Sequence, residues 1–498
     1  MVHSPLFRAE PSVENKLEND ATILGYDKPL PTAFGFNEGR GSLYEEEDPD
    51  ERPPVKPLVE LEMTQLSAEL RRKPSWWTKR RDETILSKWR EEALAQAKLM
   101  KESHIDYVLE ELAGYANYCH DKIWQSDTLI PTVLKEQLVC GVAKLEDVLD
   151  LVHPSLYPIV YGRTLSYPED SDDRSPTELQ LRLKSPEEKD SRLSKSGDYY
   201  ISKRFQWLPI DFEVSEDGAS VRSLSHVNNL DPVKHQALCK AIEGLIAAYI
   251  PLFERVLTDS IPRIKRSRKE PITALHGQKF DEDHEGWGKS RIVITPRIPE
   301  GGYPIGNLEN RRIKYKLSGR TIQVIVKLAN IYLCSKRDVT CQTPEKPEYS
   351  GGSWHVEGMK NEAIAASEIC YYDEENITES RLAFRTAVAP PYKYEQDDNR
   401  GCMLTWGMKS IAYLPLSLWT GPNLDTERLW RCFWLILLFV NHPQLQYHRN
   451  SQNDSMVEGT MTREEAEAYR LKLMDERSAF VATNDEEFFM VPFALCER

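Results

Sequence analysis

The sequence predicts an α+β chain with a largely helical N-terminal half, a β-rich, jelly-roll-like second half and a closing helix. Three observations carry this. Up to about residue 260, apolar residues recur mainly at helical spacing. From about residue 311 they alternate along β-branched runs that follow one another closely. A charged stretch opening at Thr462 then returns to helical character.

At 498 residues the chain is long enough for two or three domains and a sizeable core. Residues 1–57 are rich in Pro, Gly and Glu and read as an acidic, partly disordered segment. Residues 58–260 read as a mainly helical region, and residues 261–498 as the β-rich region with its C-terminal helix. The formal net charge of -15 argues against general binding to nucleic acid or an anionic membrane. The longest apolar run, residues 432–440, is well short of the ~20 residues a spanning helix needs. Nine scattered cysteines without a CxxC pair are no disulfide framework, and residues 1–20 show no secretory signal. A cytoplasmic or nuclear setting is the expectation.

Taken in order, residues 75–103 read as helical through Trp76, Ile85, Leu86, Trp89, Ala93 and Ala97. Residues 105–119 and 131–151 also read as helices, the latter ending at His153-Pro154. Residues 167–197 have the composition of a flexible insertion. Residues 205–214 read as extended, Asp217-Gly218 as a turn, and residues 221–227 as the return strand. Asp231-Pro232 opens the clearest helix, with Leu238, Ile242, Leu245, Tyr249, Leu252 and Val256 on one stripe. Residues 261–269 read as a solvated basic loop, with a docking site for an acidic partner as the alternative; without interleaved aromatics they are poorly suited to nucleic acid. Ile322, Val324, Val326 and Leu328 then alternate as a strand, with further short strands expected at 364–372, 382–388 and 403–406. In the closing helix, Thr462 and Glu465 have capping-box spacing, and the dense charge predicts a surface position.

The chemistry-bearing stretch is Gly351-Gly352-Ser353-Trp354-His355-Val356-Glu357-Gly358. On a strand, His355 and Glu357 would point to one face. Imidazole nitrogen and carboxylate oxygen together suit Fe(II), and an isolated His-x-Glu pair otherwise reads as ordinary surface chemistry.

That stretch, followed by Asn361-Glu362, Tyr371-Tyr372-Asp373 and the run from Glu375 to Ser380, resembles a large fungal family catalogued as domain of unknown function 4246. Leu151-Val152-His153-Pro154, Tyr161-Gly162-Arg163-Thr164, the run from Asp211 to Gly218, Asn228-Asn229-Leu230 and Lys327-Leu328-Ala329-Asn330-Ile331 fit the same pattern. The resemblance spans about residues 55–405 and 461–480. It implies a double-stranded β-helix core like that of Fe(II)/2-oxoglutarate dioxygenases. It further implies His355 and Glu357 as two metal ligands, with Fe(II) and 2-oxoglutarate as cofactors. The implied activity is oxidation of an unidentified small-molecule or protein substrate, such as a fungal secondary metabolite. The alternatives are a non-catalytic member that has lost the distal ligand, and an interaction protein docking through its charged segments.

The chain departs from that pattern in two places. Between residues 411 and 431, where the family's distal histidine belongs, there is no histidine; His442 and His448 come later. Residues 334–342 interrupt an otherwise direct run into Thr343-Pro344. One hypothesis covers both: retained intron sequence, with residues 411–452 out of frame, since family-like sequence resumes at Met461. A cDNA encoding the chain as written would sink it.

Overall fold

The structure is a computed structural model that describes residues 58–114, 123–124, 126, 128–145, 152–166, 181–182, 185, 201–225, 227–260, 315–333, 355–375, 430–440 and 461–484. Four helices open it: α1 (Leu58–Arg71), α2 (Trp76–Lys79), α3 (Glu83–Gln96) and α4 (Glu102–Gly114). They share a core of Met63, Leu70, Trp76, Trp89, Ala93, Ile105, Val108, Leu109 and Leu112. The helix expected over 75–103 is therefore two helices. Asp82 makes the break, because its side chain accepts from the Thr84 and Ile85 amides and caps α3. The chain turns out of α3 at Ala97, where Glu62 of α1 accepts from the Lys98, Leu99 and Met100 amides.

Helix α5 (Thr132–Val142) is shorter than the predicted 131–151 and ends in a turn at Ala143. Short strands follow: β1 (Ile159–Val160), β2 (Leu165–Ser166), β3 (Leu181–Arg182) and β4 (Phe205–Gln206). They pair β1 with β4 and β2 with β3, both antiparallel. The β2–β3 pairing places strand within the expected insertion 167–197, most of which lies outside the described residues.

The main sheet has five antiparallel strands in the order β6-β5-β7-β9-β8. These are β5 (Ile210–Val214), β6 (Val221–Ser223), β7 (Thr321–Leu333), β8 (Ile364–Glu375) and β9 (Trp430–Val440). The β5–β6 turn is the expected one. Asp217 Oδ1 accepts from the Ala219 amide and the Ser215 hydroxyl, and Gly218 has φ +70°. The apolar run that β9 contains is thus a strand paired along both edges, with register from Gln323 opposite Val440 to Leu333 opposite Trp430 on the β7 side. Among the described residues no barrel closes, so the architecture established is mixed helix and antiparallel sheet. The strands expected at 382–388 and 403–406 lie outside those residues.

Helix α6 (Gln236–Ser260) lies on one face of this sheet. Its Leu238, Ile242, Leu245, Ile246, Ile250, Phe253 and Leu257 meet Phe212, Val324, Val326, Leu328, Ala366 and Tyr372. Each fully buried Leu or Ile there contributes roughly 1.5–3 kcal/mol. The helix is long and apolar enough, by length and composition alone, to cross a membrane. Among the described residues its apolar stripe is instead packed into this core. Asp231 caps the turn before it, accepting from the Val233 and Lys234 amides, and regular helix begins five residues later than the sequence signal. Two buried carboxylates anchor α6: Glu243 accepts from the Ser223 amide and hydroxyl of β6, and Glu254 from the Leu317 amide in the segment before β7.

On the opposite face Ile325, Ile364 and Ile369 pack with Val160 and Phe205 of the β1–β4 pair, with Trp207, and with Leu473 and Tyr469 of α7 (Arg463–Asn484). A register shift between Ile364 and Ala366 lets residues of both parities on β8 reach one face. Helix α7 corrects two expectations. It is charged on its outer side, yet Ala466, Leu473 and Phe480 are buried at seven-residue spacing. Thr462 accepts from the Glu465 amide, but the Glu465 carboxylate is turned to Arg163 instead of closing a capping box.

Candidate functional site

The site gathers on the α7 side of the sheet, where the chain runs into β8. Residues 355–358 are not strand, as the i, i+2 argument supposed; they form a bend that ends at Gly358, whose φ is +72°. A Cβ at Gly358 would lie 2.6 Å from Ile364 Cδ1 and 3.2 Å from Glu362 Oε2, so the end of the Ile364 side chain would have to shift, and the left-handed φ strains any other residue. The bend nonetheless brings the two predicted residues together: His355 Nε2 lies 3.6 Å from Glu357 Oε1. At that distance the contact is electrostatic rather than a well-formed hydrogen bond. The His355 side chain is 44% exposed and that of Glu357 25%.

Burial pushes the Glu357 carboxyl up, but His355 and the charges of Lys327 and Arg477 outweigh it and hold it below the ordinary carboxylate range. Glu357 is therefore an anion at neutral pH. Lys327 comes from the centre of β7, where it stands among apolar residues, and Arg477 from α7. The Arg477 guanidinium lies 4.2 Å over the Trp207 ring and donates through Nη2 to Glu362. Its Nη1 is buried and has no hydrogen-bond partner among the described residues.

Glu362 is wholly buried and accepts from the Met359 amide, the Trp207 amide and Arg477. The Trp207 indole donates to Ser155 Oγ at 3.0 Å, and the Ser155 amide donates to His153 Nδ1 at 3.1 Å. Asn361 Oδ1 accepts from the Ser202 amide, and its Nδ2 donates to Tyr161 and to the Ser202 carbonyl. Tyr161 in turn donates to Gln206 Oε1 at 2.6 Å. Burial pushes the Tyr161 phenol well above its usual range, so it stays a neutral donor. The bend thus rests on a polar network drawn from three remote segments.

As a metal site, His355 and Glu357 offer the right donor types for Fe(II). Two ligands about 2.1 Å from one ion in adjacent octahedral positions stand about 3.0 Å apart, slightly closer than this pair. Among the described residues no group of three His, Cys, Asp or Glu side chains could hold a metal ion. The pair would fill at most two positions of such a site, and the later candidates His442 and His448, like the histidine-free stretch 411–429, lie outside the described residues.

Sequence reasoning gave a site role to His355 and Glu357 but none to Lys327 and Glu362, which entered through the family resemblance, nor to Trp207 or Arg477. One signal was available for Lys327: a lone charge inside the run from Ile322 to Leu328. None existed for Arg477, one of several basic residues on a charged helix.

No curated protein and no solved structure matches the chain. A family model described as protein of unknown function (DUF4246) matches residues 85–417, and the model of its N-terminal domain matches residues 25–92. The match includes the whole bend from His355 to Glu362 and strands β1 to β8. With matches over well more than half its length, the chain belongs to the DUF4246 family.

Proposed function

We propose that the protein is an oxygenase-like member of its family, with a non-haem Fe(II) site that uses 2-oxoglutarate, on a core related to the double-stranded β-helix. One observation carries the reading: an imidazole and an ionised carboxylate converge at one point beside two cations. His355 and Glu357 would hold the metal in two positions. Bound iron would supply the oxidation of a C–H bond, with the keto acid and O₂ as co-substrates. Lys327 and the unpartnered Arg477 Nη1 supply positive charge for a carboxylate, and the Trp207 ring shields that charge from water. The substrate would be a small molecule or a protein side chain.

A second reading is a non-catalytic member that binds without turnover. It is favoured by the charge balance of Glu357, which His355, Lys327 and Arg477 already satisfy. Anaerobic titration with Fe(II) and 2-oxoglutarate separates the two. The first reading expects the weak visible charge-transfer band of a chelated keto acid, lost in both His355→Ala and Glu357→Ala. No band and no bound metal by elemental analysis leaves the second. A band that survives both substitutions would show that other residues hold the metal.

A further inference from the structure

The bend from His355 to Gly358 is not part of the sheet, so something else must fix it. Two contacts come from the C-terminal helix. Val356, between the two site residues, packs with Met359 against Phe480 and Val481 of α7. Met359 and Phe480 are both buried. Arg477, one turn before Phe480, donates to Glu362, whose other oxygen accepts from the Met359 amide. Glu362 thus clamps the exit of the bend and the helix at once.

The charges interlock as well. A fully buried carboxylate needs a cation, and Arg477 is the one bonded to Glu362. Moving the helix would strand the Glu362 carboxylate and free the Met359 amide.

We propose that Glu362 and Arg477 are a positioning pair that makes the C-terminal helix a working part of the site: its docking sets the separation of His355 and Glu357. The functional consequence rests on the reading of that pair as metal ligands; the mechanical claim does not. Neither residue is a ligand itself. Whatever lifts the helix, whether a partner or a modification, would dissolve the pair.

The test uses the full chain as wild type, Glu362→Gln, Arg477→Gln and Arg477→Lys, with two readouts. Hydrogen exchange of the amides of residues 355–359 should quicken about ten-fold or more in both Gln variants, while α1 to α4 stay unchanged. Co(II) affinity by calorimetric titration should fall about ten-fold or more in both Gln variants but be largely retained in Arg477→Lys, which keeps the charge. Unchanged exchange in both Gln variants overturns the proposal, whatever Co(II) does. Quickened exchange in a protein whose wild type binds no Co(II) upholds the clamp and removes the metal reading. Equal loss of Co(II) affinity in Arg477→Lys and Arg477→Gln would overturn the electrostatic half of the proposal. If Glu362→Gln does not fold, Phe480→Ala, which leaves every charge in place, should quicken the same amides, and failure to do so overturns the clamp.

Discussion

Arg163 holds Glu465 with two parallel bonds, Nε to Oε1 at 2.7 Å and Nη2 to Oε2 at 2.6 Å, across 302 residues of sequence. The pair fastens the first turn of α7 to the turn after β1. Both side chains are about one-third exposed or less, so screening limits its worth. Arg163→Lys, which keeps the charge but loses the fork, should cost roughly 0.5–1 kcal/mol in urea unfolding. The cost should shrink in high salt. An unchanged midpoint would show that the fork adds nothing beyond packing.

Gly358→Ala should be among the more damaging small substitutions near the site. The left-handed conformation costs an alanine about 1–2 kcal/mol, and its Cβ would also press on Ile364. A loss above about 2 kcal/mol in the denaturation midpoint is expected. Near-neutral behaviour would mean that the bend relaxes easily, and would weaken the view that it is held.

Trp207→Phe should lose the indole bond to Ser155 while keeping a ring under Arg477. The cost expected is about 1–2 kcal/mol. Trp207→Leu, with no ring, should cost more by the cation–π term, roughly 1–2 kcal/mol in a desolvated setting. Equal losses in the two variants would show that the stack under Arg477 contributes little.

Glu368 gives a pH dependence whose sign can be fixed in advance. It sits on β8 beside Tyr249 of α6, with Cys370 on the same strand and the charge of Lys135 of α5 close by. Burial pushes its carboxyl up to about 8, against the lowering effect of the Tyr249 hydrogen bond. The folded chain therefore keeps this proton where the unfolded chain releases it. Its stabilising contribution is full below about pH 4.5, is lost as pH rises to about 8, and changes by at most about 1.4 kcal/mol per pH unit between. Unfolding midpoints across that interval should fall more steeply with pH in the wild type than in Glu368→Gln. Parallel slopes would show that Glu368 is ionised in the fold.

What the sequence made legible was local. The α6 stripe, the alternation from Ile322 to Leu328, the Asp217-Gly218 turn and the His355–Glu357 pair all depend on neighbours a few residues away. Its misjudgements have physical causes as well. Asp82 broke one expected helix by capping the next, and Glu465 left its own cap for a stronger partner. The rest of the site was not readable because its bonds span the chain: Trp207 to Glu362 across 155 residues, and Arg477 to Glu362 across 115. No periodicity encodes such a pairing. The jelly-roll expectation likewise depends on strands that fall outside the described residues.

The place of β9 in the sheet order has a consequence for synthesis. It lies between β7 and β8, yet it is translated after both. While the ribosome makes the intervening residues, β7 and β8 each carry an unpaired edge, and such edges invite pairing with other chains. Completion of the sheet must wait for residues 430–440 to leave the exit tunnel. A nascent chain stalled before that point would thus expose open strand edges of the kind that promote aggregation.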